Sequence, residues 1–311
     1  MELRVFTEPY HGATYGDLLR AARHAEACGF DGFFVADHYH PMHFGDGLPG
    51  PTDAWTTLAG LARETSAIRL GTLMTSATFR HPGPLAVTAA QVDAMSGGRI
   101  ELGFGAGWFG LDHSAYGIPF PAPAERFERM EEQLQILTGL WTTPPGERFS
   151  FEGRHYRLTD SPALPKPAQR PRIPLIIGGR GPRRTPALAA RHADEFNLPF
   201  TGLEQSARLY AGARAARARV PDRPPLTLSV ALGIACGRTE PEIATRLTVL
   251  HEQSRLPPEE PLHGSPARIT EQLGAYAELG VTRIYVRLRD LTDLIHLDLL
   301  MSEVAPQLPS V

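Results

Sequence analysis

Four short stretches of the chain carry side chains able to do chemistry. Asp37-His38-Tyr39-His40 sets an imidazole beside a carboxylate. Histidine changes charge close to neutral pH, so His38 can take up and return a proton, with Asp37 as its polar neighbour. A hydrogen-bonded turn is the plain alternative. Residues 71–82 (GTLMTSATFRHP) bring together Thr72, Leu73, Met74 and Thr75. These hydroxyl and apolar groups suit a flat polar ring, and they suit a solvated rim equally well. Residues 103–108 (GFGAGW) place Gly105 and Gly107 before Trp108, and glycine lets a ligand approach the backbone closely. Residues 178–185 (GGRGPRRT) combine Gly178, Gly179 and Gly181 with Arg180, Arg183 and Arg184. Amides at the start of a helix bind anions, and Pro182 suits a first helical turn, so this stretch reads as a phosphate cradle.

Other chemistries lack their residues. The GFGAGW run matches a dinucleotide fingerprint only in part, because no second strand ending in a ribose-binding acid follows at the right distance. The arginine-flanked loop lacks the lysine and hydroxyl of a P-loop. Neither a GxSxG elbow nor an HExxH helix is present. His40 and His43 have no cysteine or acidic partner at ligand spacing, so no metal is expected. Cys28 and Cys236 stand alone in apolar surroundings and read as small buried thiols. Glu125, Glu128, Glu131 and Glu132 alternate with Arg126 and Arg129, the pattern of a solvated helix face. The net charge of -3 gives no overall basic field for nucleic acid or an anionic membrane. No apolar run approaches the ~20 residues of a membrane span. The opening MELRVFTEPY has no signal-peptide pattern, so a cytoplasmic location is expected.

The elements that must position these groups alternate regularly. Apolar runs at 2–7, 31–36, 69–74, 99–104, 174–177, 194–198, 226–235 and 282–287 read as strands. Amphipathic segments at 15–28, 53–66, 84–95, 124–141, 182–192, 203–217, 240–252, 266–279 and 295–304 read as helices. In the first of these, Leu18, Leu19, Ala22 and Ala25 share a face and Gly29 stops the helix. Eight strands with intervening helices imply parallel pairing and a closed (β/α)8 TIM barrel. Residues 104–123, 147–172 and 256–265 break the cycle and read as insertions into a single domain, the second with a hairpin around Glu152 and Gly153. In such a barrel, residues just past a strand's C-terminal end face the active site, and the four stretches lie there.

Taken together, GTLMTSATFRHP, SGGRIELGFGAGWF followed by AYGIPFP, and IIGGRGPRRTPALAARHADEFN resemble the luciferase-like monooxygenase superfamily. The resemblance is to its coenzyme F420-dependent branch and runs over nearly the whole chain. It implies a barrel with an insertion after the seventh strand and a homodimer. It implies a deazaflavin at the mouth, its phosphate tail on Gly178, Gly179, Arg180 and Gly181, with Arg183 and Arg184 assisting. The ring would meet Asp37, His38, Thr72, Leu73, Met74 and Thr75, and Gly105, Gly107 and Trp108 would line the pocket. A bulged third strand would carry a non-proline cis peptide at Leu73–Met74. The implied activity is hydride transfer to or from a small organic substrate, with His38 and Asp37 as catalytic groups. FMN with a separate reductase and O2 is the alternative on the same barrel. A flavin-binding protein without catalysis is a second alternative. The sugar-phosphate dehydrogenases of this branch carry a glutamate where Trp108 stands, and a tryptophan where this chain has Met42, His43 and Phe44. An apolar or aromatic substrate fits the pocket residues better.

Overall fold

The computed structural model describes residues 1–42, 46–251 and 260–309. Strand β1 (Glu2–Thr7) leads to helix α1 (Tyr15–Cys28), and β2 (Gly32–Val35) to α2 (Ala54–Glu64). Next come β3 (Arg69–Ser76), α3 (Pro82–Ser96), β4 (Ile100–Gly105), the short α4 (Gly110–Ala115) and α5 (Pro123–Thr142). A hairpin, β5 (Phe149–Glu152) and β6 (Arg157–Ser161), interrupts the cycle. It resumes with β7 (Leu175–Gly178), α6 (Arg184–His192), β8 (Glu195–Pro199), α7 (Leu203–Arg217) and β9 (Thr227–Cys236). The chain continues through α8 (Glu240–His251), β10 (Leu262–Gly264), α9 (Pro266–Glu278), β11 (Val281–Leu288) and α10 (Leu294–Leu299).

Eight strands pair in parallel in the order β9-β11-β1-β2-β3-β4-β7-β8, and β8 pairs with β9 to close the ring. The closed barrel read from the alternation is therefore present. Local signals act as expected on α1. Thr14 and Asp17 form a reciprocal capping box, and Gly29 ends the helix in the left-handed region at φ 96°. Its buried face is Leu18, Ala21, Ala22 and Ala25, with Leu19 at the margin.

Four expectations need correction. Helix α6 begins at Arg184, so Pro182 lies in the loop before it and not in its first turn. Residues 104–123 are not wholly loop, because α4 forms within them. The 256–265 insertion lies partly outside the described residues, and Leu262–Gly264 is a strand on the upper end of β9. The last helix changes after Leu299 to a π turn at Leu300–Val304. The hairpin around Glu152 and Gly153 forms as read.

Side-chain alternation divides each barrel strand between two environments. On β1 and β11, Leu3, Val5, Ile284, Val286 and Leu288 face the helices, while Phe6 and Tyr285 face the lumen. At the N-terminal end the lumen is closed by ions. Arg4 Nη1 donates to Glu101 Oε2 at 2.6 Å, Arg283 Nη1 to Glu195 Oε2 at 2.6 Å, and Tyr285 to Glu195 Oε1 at 2.8 Å. Arg69 pairs with the other oxygen of Glu101. The concavity at this end is lined by these already paired groups and lies away from the mouth, so it serves stability.

Burial alone would raise the Glu101 carboxyl, but Arg4, Arg69 and Arg283 outweigh it and hold the group down at about 2. A carboxyl depressed on folding contributes stability that is present above its unfolded value and lost as pH falls through the folded one. Unfolding free energy is therefore expected to fall as pH drops from about 4.5 toward about 2. Urea titrations across that window check this, and Glu101→Gln should flatten the slope.

Candidate active site

The loops leaving β1 to β4 and β7 meet over the C-terminal end of the barrel. His38, just beyond β2, points Nδ1 at Asp112 Oδ2, 2.6 Å away. Asp112 lies on α4 and its side chain is fully buried. Its Oδ1 accepts the amides of Tyr39 at 3.0 Å and His40 at 2.8 Å. Burial pushes the Asp112 carboxyl up, but the His38 bond and charge and the two amides outweigh it, leaving it below its ordinary value. Asp112 is thus an anion at neutral pH, and the His38 edge facing it must carry a proton at Nδ1. That assignment leaves Nε2, on the opposite edge of the ring, able to accept or donate. Among the described residues Nε2 has no protein partner, and the side chain is 15% exposed. Tyr10, Trp108 and Phe109 surround the ring edge-on at 5.2, 6.0 and 6.2 Å.

The next residue of α4 performs a parallel task. His113 Nδ1 donates to the Phe109 carbonyl at 2.9 Å, so its Nε2 accepts from Thr78 Oγ1 at 2.6 Å. Thr78 in turn accepts from Ser76 at 2.6 Å. One short helix therefore ties the loops after β2 and β3 together.

Asp37 is 1% exposed, and its carboxylate is engaged by Arg80, with Nη2 at 3.2 Å from Oδ1. Arg80 also donates to Asp53 Oδ2 at 2.6 Å and to the Tyr39 hydroxyl at 3.0 Å. Burial raises the Asp37 carboxyl above its ordinary value, in spite of Arg80. The Thr72 hydroxyl donates to Gly103 O at 2.9 Å, and Thr75 accepts the Trp55 indole at 3.0 Å. Both hydroxyls are buried and spent inside the protein.

Leu73 and Met74 are placed at the mouth. The peptide between them is cis, and the β3–β4 register shifts between Thr72 and Thr75. Leu73 joins the lumen cluster and Met74 packs against it. Met74 also reaches β7, where a Cβ on Gly178 would lie 2.5 Å from its Cε and 2.9 Å from Asn197 O. The bare backbone of Gly178 is thus required by its neighbours. Gly107, at φ 78°, sits over Ser76 and Thr78, where a Cβ would come within 2.5 Å of Ser76 Oγ. Gly105 approaches Met74, and Trp108 is 54% exposed beside Phe109. Gly179, Arg180 and Gly181 lead to α6, whose Thr185 lies under Gly179 and Gly181. Arg183 and Arg184 are exposed, and the Arg184 guanidinium lies over the Phe127 ring at 5.6 Å. His43 and Phe44 lie outside the described residues.

A luciferase-like monooxygenase family model matches residues 1–263. The chain belongs to that family. Among the family's curated members it is 37% identical over 174 residues to an F420-dependent glucose-6-phosphate dehydrogenase of Microbacterium testaceum, covering 55% of this chain and 49% of that one. A protein of the same description from Nakamurella multipartita is 36% identical over 181 residues, covering 58% and 51%. The chain spans about half the length of these curated relatives. A solved F420-dependent secondary alcohol dehydrogenase, in complex with an F420-acetone adduct, superposes with TM-score 0.82 at 18% identity over 99% of both chains. The FMN-bound oxygenating constituent of 3,6-diketocamphane monooxygenase from Pseudomonas putida superposes with TM-score 0.75 at 19% identity, over 100% of this chain and 99% of that one. At such identities the structural likeness establishes the luciferase-like fold alone.

Asp112 and Tyr10 are absent from the sequence-derived site, and Arg80 stands within its 71–82 stretch without an assigned role. Nothing local marks Asp112, whose partner His38 is 74 residues away. Tyr10 had a usable signal, since it follows the C-terminal end of β1, where a barrel keeps functional residues.

Proposed function

We propose that this chain is an oxidoreductase that exchanges a hydride between a deazaflavin of the F420 type and a small organic substrate. The observation that carries this reading is the His38–Asp112 pair, set at the mouth of a luciferase-like barrel that also holds the glycine-arginine loop of residues 178–184. Curated relatives 36–37% identical over about half of their length are named for F420 and support the choice of coenzyme. The residues present fit such a group. Gly178 leaves bare backbone beside Met74, and Gly179, Gly181 and Thr185 form the approach to α6, with Arg183 and Arg184 beside it for an anionic tail. Backbone amides at a helix start and guanidinium groups both suit phosphate. When bound, a deazaflavin supplies the carbon that gives or takes the hydride.

The chain's own residues do the rest. His38 Nε2 takes the hydroxyl proton as a substrate alcohol becomes a carbonyl, and returns it in the opposite direction. Asp112 holds the ring in the tautomer that leaves Nε2 available and stabilises the imidazolium that forms. Asp37 serves as the anchor of Arg80, which holds the loops after β2 and β3 in place. Trp108 and Phe109 exclude water beside the imidazole.

Fluorescence titration of the purified protein with F420 and with FMN tests the reading. Tighter binding of F420 is expected, and preference for FMN would point to the flavin-and-oxygen alternative instead. Gly178→Ala is expected to weaken F420 binding by about 1–3 kcal/mol through overpacking against Met74 and Asn197. The same titration checks it.

A further inference from the structure

Helix α1 carries a group on the outside of the barrel that the mouth does not use. His24 and Cys28 are four residues apart, about one helical turn, so their side chains share a face. Helix α10 packs against α1 and brings Asp298 to the same face, where His24 Nε2 lies 2.8 Å from Asp298 Oδ1. One ligand atom from each of His24, Cys28 and Asp298 lies within 4.8 Å of the other two, and no other trio of His, Cys, Asp or Glu among the described residues does so. Cys28, expected from the sequence to be a buried thiol, is only half-buried.

Little else claims these atoms. Among the described residues, the Asp298 carboxylate hydrogen-bonds only with His24, and Cys28 Sγ makes only a long 3.5 Å contact to the Ala25 carbonyl. The nearby cations are already paired, Arg20 with Asp17 at 2.7 Å and Arg23 with Glu64. Arg20, Arg23 and His24 line a cavity of about 420 Å³ with Gly16, Leu19 and Leu294, so water reaches the imidazole. Sulfur, imidazole nitrogen and carboxylate oxygen together are ligands of zinc, whereas calcium and magnesium take oxygen. Across a tetrahedral zinc, ligand atoms stand about 3.3–3.6 Å apart. Small side-chain rotations open the His24–Asp298 pair to that spacing and draw Cys28 in.

We propose that His24, Cys28 and Asp298 form a three-ligand site for a zinc-like divalent cation, with water in the fourth position, that clamps α1 to α10. The charges balance, since a thiolate, a neutral imidazole and a carboxylate carry two negative charges against the two positive charges of the ion. Burial and the Asp298 charge push the Cys28 thiol up to about 11, so the ion displaces a proton from sulfur to solvent. The imidazole keeps its proton at Nδ1 and offers Nε2, the atom already turned to Asp298. Cys28 is the last residue of α1, beside the turn into β2, so the site lies away from the mouth and takes no part in the chemistry at His38. Its role is stability. His24 and Asp298 are 274 residues apart and separate when the chain unfolds, so the ion binds the folded state and favours it by mass action.

The test uses the full chain, stripped with a chelator, and Co2+ and Zn2+ alone as probes. Co2+ is expected to give a thiolate-to-metal absorption band in the near ultraviolet that saturates at one equivalent and is displaced by Zn2+. Competition with a chromophoric chelator measures zinc affinity. It should fall about tenfold or more in Cys28→Ser, His24→Gln and Asp298→Asn, because loss of an outer-shell partner alone costs about 10–100-fold. Cys28→Ser is the decisive variant, since it leaves the His24–Asp298 bond intact. It should abolish the cobalt band, and circular dichroism of the ion-free variants checks that each is folded. Zinc should raise the Tm of wild type and leave that of Cys28→Ser unchanged. Absence of the cobalt band in wild type overturns the site, as does a band that survives Cys28→Ser, which would then come from Cys236, the other thiol. Zinc affinity unchanged in the three variants overturns it as well. Zinc binding at this site with no rise in Tm overturns the clamp.

Discussion

His38→Ala is expected to lower kcat by about 10²–10⁴-fold, the span assigned to loss of a positioned general acid or base. F420 affinity should hardly change, because the proposed function gives His38 the substrate proton and gives the coenzyme tail to the 178–184 loop, three strands away in the ring. Stopped-flow absorbance of F420 with a panel of alcohols gives kcat and KM together. An unchanged kcat in that variant would remove the imidazole from the mechanism. Asp112→Asn should lower kcat in the same direction by a smaller factor, since the ring stays in place while the charge behind it is lost. Asp112 is buried and accepts two backbone amides besides His38, so thermal unfolding must accompany the kinetics. An asparagine variant with wild-type stability and reduced kcat separates the electrostatic role from simple collapse of α4.

The largest expected loss of stability is for Arg80→Ala, about 3–5 kcal/mol, the usual cost of removing one partner from a buried ion pair. Arg80 is the counterion of Asp37, which is 1% exposed, and it also binds Asp53 and the Tyr39 hydroxyl. Without it, the interior of the mouth holds an uncompensated carboxylate. The penalty should shrink on acidification, because a protonated Asp37 needs no counterion. The sign follows from the Asp37 carboxyl, already raised by burial and raised further in the variant. An acid raised on folding loses stability as pH climbs from its unfolded value through its folded one. Urea unfolding at acidic and neutral pH checks both size and sign. Adding Asp37→Asn to the arginine variant should recover part of the loss, and a double variant no more stable than the single one would refute the pairing argument.

The repeating pattern was legible for a simple reason. A strand buried on both faces needs a short apolar run, and a helix packed over it needs apolar residues at helical spacing. Both periods are local, so eight alternations imply a ring before any contact is known. Glycine at 178 was legible as well, because a close approach of backbone tolerates little else. The chemistry carried by pairs was less so. Asp37 adjoins His38 in sequence, yet successive residues at a strand exit point in opposite directions. Its carboxylate goes inward to Arg80, while the imidazole turns to an aspartate on α4. Thr72 and Thr75 present hydroxyls on paper that the fold spends on Gly103 and Trp55.

By itself, the sequence determined the barrel, the loops that gather at its mouth, the cis bond at Leu73–Met74 through family likeness, and His38 as a group able to move protons. Tertiary structure alone decided that Asp112 orients His38, that Arg80 neutralises Asp37, and that Arg287 and Arg289 share Glu8. The reason is range. Periodicity and turn chemistry act between near neighbours along the chain, whereas an ion pair forms wherever closure of the barrel brings two charges together. Here Glu8 and Arg287 are 279 residues apart and meet only because β1 and β11 lie side by side.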